Sequence, residues 1–229
     1  MKNCIVFSGQ FRTFKDTVEN IKEFIRINDL DVYCFLWTTD ADEKRFVVDN
    51  LKPINFRFDD YSNYQGMFEE MEQRIRHNNP KPAPIDKVAA NASMNFARKQ
   101  AYSLVRNNYD NIFYCRYDID IYEQFTLKEQ VDFVVTPLEE SYNLISDIFA
   151  IIPQKYAKHY FLYDEYENIH STKFEPKFEE WLRSIKKYGE ENIRIHRDDR
   201  YCPHMMLLRN LWNNNVPFVI ENLPVRIKR

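Results

Sequence analysis

At 229 residues, with 44% apolar and 29% charged side chains, the chain has the composition of a folded globular protein and the length to bury one sizeable core. Its 32 basic and 35 acidic residues leave a formal charge of -3, so there is no global positive field to hold a nucleic-acid backbone and no nucleic-acid partner is expected. Three glycines (Gly9, Gly66 and Gly189) cannot spell a G-x-G-x-x-G fingerprint or a P-loop, so a bound phosphate must be neutralised by something other than a glycine-rich cradle.

The elements follow in chain order. Asn3 to Phe7 is a short apolar run closed by Ser8-Gly9 and reads as a buried strand. Phe14 to Ile27 then carries Val18, Ile21 and Ile25 at helical spacing. Asp31 to Trp37 is a second strand, followed by Asp40 and Glu43 at the spacing of a capping box, and Ile54 to Phe58 is a third. A short helix over Asn63 to His77 leads into the proline-rich Pro80-Lys81-Pro82-Ala83-Pro84, an excursion and not a domain linker. A long helical pattern from Ile85 to about Asn107 feeds the apolar strand Asn111 to Asp120. Strands over Asp132–Thr136 and Leu144–Ile152, helices over Gln154–Asp164 and Lys177–Lys187, a strand at Ile193–Ile195, a helix over Pro203–Asn213 and a strand over Pro217–Ile220 complete the pattern. Strands alternating with helices predict an α/β fold: one domain over 1–229, with a Rossmann-type mixed, mostly parallel sheet flanked by helices.

The N-terminal apolar stretch is too short for a signal-peptide core and no segment approaches a membrane span, so a cytoplasmic location is expected. Cys4, Cys34, Cys115 and Cys202 are widely separated and read as buried free thiols.

In open α/β sheets ligands bind beyond the carboxyl ends of the strands, which singles out two segments. Ser8-Gly9-Gln10-Phe11-Arg12 places a small turn, an amide and a guanidinium after the first strand. Arg116-Tyr117-Asp118-Ile119-Asp120 ends an apolar strand in two acids, and alternation along an extended chain would point Asp118 and Asp120 the same way. Such a pair suits Mg²⁺ or Mn²⁺, which could bridge a diphosphate and take up charge as a bond to sugar breaks. A solvated turn is the competing reading. The second D-x-D, Asp40-Ala41-Asp42, sits in the capping box and reads as a helix cap. Arg98 and Lys99 lie on the helix before the acidic strand, where Arg98 could reach a phosphate or merely belong to a solvated face.

Together, Ser8-Gly9-Gln10-Phe11-Arg12 after the opening strand, the helix around Ser93–Tyr102, Arg116-x-Asp118 and Ser146-Asp147-Ile148-Phe149-Ala150 resemble a group of GT-A-type glycosyltransferases found in bacterial polysaccharide clusters and large DNA viruses. The resemblance spans roughly the first two-thirds of the chain. It implies a GT-A-like fold, nucleoside binding by Ser8, Gly9 and Arg12, and ribose and metal contacts for Asp118 and Asp120; Gln10, Arg98, Arg116 and Asp118 join the expected nucleotide-binding set. It also places a catalytic or acceptor-binding carboxylate at Asp147, a candidate general base whose bland alternative is a turn or cap. Metal-dependent enzymes of this type often recruit a late histidine, which makes His204, within the ligand-rich run His196–His204, the candidate third ligand. The resembling group usually has an acid after Pro203, where this chain has His204.

The expected function is therefore metal-dependent transfer of a sugar from a nucleoside diphosphate sugar, UDP-linked for instance, to a glycan or other saccharide acceptor. A non-catalytic binding module on the same sheet and, further off, a metal-dependent phosphoesterase are the alternatives.

Overall fold

The computed structural model describes residues 1–78, 88–139, 144–162, 177, 180–181 and 203–228. The segment Pro80–Pro84, most of the expected helix Lys177–Lys187, the expected strand Ile193–Ile195 and the run His196–Cys202 lie outside the described residues.

The strands are β1 (Asn3–Gln10), β2 (Leu30–Trp37), β3 (Asn55–Asp59), β4 (Asn111–Arg116), β5 (Ile119–Ile121), β6 (Val134–Glu139), β7 (Leu144–Ile145), β8 (Phe149–Pro153), β9 (Phe218–Glu221) and β10 (Val225–Ile227). The helices are α1 (Phe14–Ile27), α2 (Ala41–Leu51), α3 (Gln65–Asn78), α4 (Val88–Ser103), α5 (Ala157–Phe161) and α6 (Pro203–Asn213). The main sheet runs β3-β2-β1-β4-β8-β6-β7, with β9 also on β6. The pairings β3–β2, β2–β1, β1–β4 and β6–β9 are parallel, and those of β8 with β4 and β6 and of β7 with β6 are antiparallel. This is the expected mixed, mostly parallel α/β sheet.

Period-two alternation sorts the strand residues onto two buried faces. Ile5 and Phe7 of β1 pack with Cys34, Leu36, Phe113 and Cys115 against α1 and α2. Cys4 and Val6 pack with Tyr33, Phe35, Ile112 and Tyr114 against α3, α4, α5 and α6. The first face is anchored by α1, whose Phe14, Val18, Ile21 and Phe24 fall at i, i+4, i+7 and i+10 and are buried. Each such side chain contributes roughly 1.5–3 kcal/mol by leaving water. Asp40 caps α2 as expected, accepting from the amides of Asp42 (2.7 Å) and Glu43 (3.0 Å). Glu43 does not close the reciprocal half of the box; its Oε2 accepts from the Thr38 hydroxyl at 2.6 Å. Cys4, Cys34 and Cys115 are buried free thiols, and burial pushes the Cys34 thiol up to about 12.

Two strands are shorter than their apolar runs. The predicted strand Asn111–Asp120 breaks at a turn over Tyr117 and Asp118, after which β5 leaves the main sheet to pair antiparallel with β10. The Lys228 amide donates to the Asp118 carbonyl at 2.8 Å, so the turn is held by residues about a hundred positions away. The run Leu144–Ile152 likewise divides into β7 and β8, because the Ser146 amide donates to the Pro137 carbonyl and the Asp147 amide to Nδ1 of His204. Among the described residues no helix is long and apolar enough to cross a membrane.

Candidate functional site

The chain runs from β1 to β2 on one side and later returns to β4 on the other, so the strand order reverses between β1 and β4. A crevice outside the carboxyl ends opens at such a switch point. A cleft lies there, lined by residues from the ends of β1 (Ser8, Gly9, Gln10), β2 (Trp37) and β4 (Tyr114, Arg116), by Arg12, Tyr117 and Asp118, and by Ala90, Ser93 and Met94 of α4. Register explains the set. Ser8 stands beside Arg116 and Gln10 beside Trp37, and Ser8, Tyr114 and Arg116 continue the α4-facing rows that begin at Cys4 and Ile112. The hydroxyls of Ser8 and Tyr114 lie 3.0 Å apart and tie the floor together. Gly9 has φ +128°, a conformation that side chains resist, which turns the chain out of β1 toward Arg12.

The chemistry of the cleft centres on one carboxylate. Asp118 is buried; its Oδ1 accepts from Arg116 Nε at 3.0 Å, and its Oδ2 accepts from Arg116 Nη2 at 2.5 Å and Arg12 Nη1 at 2.8 Å. Arg116 is mostly covered, at 14% side-chain exposure, whereas Arg12 is 46% exposed and also donates through Nε to Gln10 Oε1 at 3.3 Å. Burial works to raise the Asp118 carboxyl, but the Arg116 charge and the hydrogen bonds from both arginines outweigh it and hold the group below its ordinary range. The lining carries two guanidinium groups and one carboxylate, a formal charge of +1 in a chain whose net charge is -3.

That depressed value fixes a sign. The Asp118 ion pairs stabilise the fold above the unfolded carboxylate value, about pH 4, and their contribution is lost as the pH falls through the still lower folded value. Asp118→Asn should therefore be less stable than the wild type at pH 7, with the gap narrowing toward pH 3. Urea midpoints at the two pH values test this; an unchanged gap would show that the carboxylate charge is immaterial.

The remaining candidates lie elsewhere. Asp120 is engaged elsewhere: its Oδ1 accepts from Asn20 at 2.8 Å and its Oδ2 from Arg226 at 3.0 and 3.2 Å, and it does not line the cleft. The turn at Tyr117–Asp118 interrupts the alternation that would have aligned the two acids. Arg98 is buried beneath the floor, its guanidinium 5.8 Å from the Tyr114 ring and 5.5 Å from that of Tyr160, with Nη2 donating to Asn95 at 3.2 Å. It adds positive charge behind the cleft without lining it. Asp147 is buried, with its Oδ1 3.1 Å from His204 Nδ1, and this pair is also outside the lining. Asp147 is still close enough for its charge to be felt at Arg116.

The residues expected to bind a divalent ion do not fit one as arranged. Both Asp118 oxygens are occupied by guanidinium groups, Asp120 is turned to other partners, and His204 is on Asp147. Among the described residues no three His, Cys, Asp or Glu side chains converge. Sequence reasoning missed Trp37, Tyr114 and Met94. Trp37 ends a predicted strand, so the carboxyl-end rule applied to β2 would have found it.

No protein-family model and no curated protein matches the sequence. Among solved structures the chain is similar to mouse xyloside xylosyltransferase 1 in its apo form, at 9% identity over 96% of this chain and 85% of that one, with a TM-score of 0.42. It is similar to the galactosyltransferase LgtC in complex with donor and acceptor sugar analogs, at 13% identity over 95% and 73% of the two chains and a TM-score of 0.44. The glycosyltransferase GlyE of Streptococcus pneumoniae TIGR4 is similar at 12% identity over 95% of this chain and 46% of that one, with a TM-score of 0.43. These are likenesses of layout at low identity.

Proposed function

We propose that the chain transfers a glycosyl group from a nucleoside diphosphate sugar to a saccharide acceptor, with the donor's diphosphate seated at the carboxyl ends of β1 and β4. The observation that carries this reading is the Arg12–Asp118–Arg116 cluster in a cleft at the switch point of the sheet. Guanidinium groups in a partly dry cleft bind phosphate oxygens through charge-assisted, often bidentate hydrogen bonds. They also stabilise the charge that grows on a departing diphosphate.

In the proposed reaction the acceptor hydroxyl oxygen forms a bond to the anomeric carbon as the bond from that carbon to the phosphate oxygen breaks. The nucleoside diphosphate leaves with the electron pair. Asp147, held against His204, is the proposed acceptor of the hydroxyl proton. Binding without turnover is a second reading, favoured by one observation: Asp118, held by two arginines, supplies the only carboxylate among the described lining residues.

Melting curves with UDP, GDP, CDP, ADP and their sugars test the first part. A cognate nucleotide at about a hundred times its dissociation constant should add roughly 2.7 kcal/mol of stability. Release of free nucleoside diphosphate that depends on an added saccharide separates transfer from binding. Stabilisation without any such release favours the binding module, and no response to any nucleotide sinks both readings.

A further inference from the structure

We infer that the diphosphate is neutralised directly by Arg12 and Arg116, without a divalent cation, and that Asp118 serves as a built-in stand-in that holds the two guanidinium groups in position until phosphate arrives. This rests on the proposed donor site and specifies how that site binds.

Three observations support it. First, Asp118 is not arranged as a metal ligand: three charge-assisted hydrogen bonds from cations converge on its two oxygens, at 2.5, 2.8 and 3.0 Å. An incoming divalent ion would have to displace them or sit beside two like charges. Second, the arginines are placed for an anion in the cleft. Arg12, held at φ +43° in the turn after Gly9, reaches across the strand ends with its outer face in water, and only two of its bonds are to described neighbours, Gln10 and Asp118. Most of the five N–H donors of a guanidinium thus remain for a ligand. Third, the surroundings favour negative charge. The lining carries +1 overall, and Arg98 lies beneath the Tyr114 floor.

A carboxylate and a phosphate present similar pairs of oxygens to a guanidinium fork. Phosphate can therefore share or take over the donors that Asp118 now occupies, with little side-chain reorganisation. Removing the carboxylate should strengthen anion binding, the opposite of what removal of a metal ligand would do.

Calorimetry with the nucleoside diphosphate that gives the largest stabilisation, in EDTA and then in Mn²⁺, tests the inference on the wild type, Arg12→Gln and Asp118→Asn. The expected result is a wild-type dissociation constant that agrees between the two conditions within about threefold. Arg12→Gln, at a half-exposed position, should weaken binding about tenfold in both, and Asp118→Asn should bind at least as tightly as the wild type. Binding that appears only with Mn²⁺ and is lost in Asp118→Asn overturns the inference and leaves the glycosyltransferase reading standing. Absence of binding in both conditions overturns both.

Discussion

Arg116→Met should cost the folded state about 3–5 kcal/mol, because among the described residues it leaves the buried Asp118 carboxylate with Arg12 as its remaining cationic partner. For a chain of this length that is a fall in melting temperature of about 10 °C. The cost belongs to the stranded charge more than to the lost contact. The double variant Arg116→Met/Asp118→Leu should therefore recover most of the stability, as apolar replacements of buried ion pairs often do. Nucleotide binding should be lost in both. If the double variant is no more stable than the single one, Arg116 matters for its packing and the electrostatic account of the cluster fails.

Phe14→Ala should be comparably damaging, at about 3–5 kcal/mol for a fully buried ring whose space cannot easily be refilled. Phe14 sits at the start of α1 with edge-to-face contacts to Phe11 (5.7 Å), Phe46 (5.8 Å) and Tyr117 (5.3 Å). Phe11 precedes Arg12 and Tyr117 precedes Asp118, so the ring supports both sides of the arginine–carboxylate cluster from below. Loss of nucleotide affinity in the still-folded variant is the second expected effect. Urea midpoints and titrations at low temperature measure both. A loss below about 1.5 kcal/mol would mean that the neighbouring rings collapse into the space and that Phe14 is not a support.

Elements whose evidence is local were the most legible in the sequence. Helix α1 begins and ends where apolar spacing placed it, at Phe14–Ile27, and α6 ends at Asn213 as expected, because a helix satisfies its backbone within its own segment. Strands depend on distant partners. Nothing within Asn111–Asp120 reveals that Val225–Ile227 will draw Ile119–Ile121 out of the main sheet, and β10 itself is too short to declare its own pattern. The same limit divided the site. Ser8, Gly9, Gln10, Arg12, Arg116 and Asp118 come together because the carboxyl-end rule fixes the position of residues directly after parallel strands. Asp120, Arg98, Asp147 and His204 carry suitable chemistry in the sequence, but their partners (Arg226, two tyrosine rings and each other) were set by tertiary packing.

The β5–β10 ribbon also has a consequence for the order in which the molecule can be assembled. Asp120 and Arg226 are 106 residues apart, and the Lys228 amide that closes the turn on Asp118 comes later still. On a ribosome adding about 5–20 residues per second, the acidic turn spends several seconds outside the exit tunnel before its C-terminal partners have been made. The arginine–carboxylate cluster can form early, from residues 12, 116 and 118. Its second fastening cannot, so a nascent chain holds the cleft by one side only until synthesis has passed residue 228.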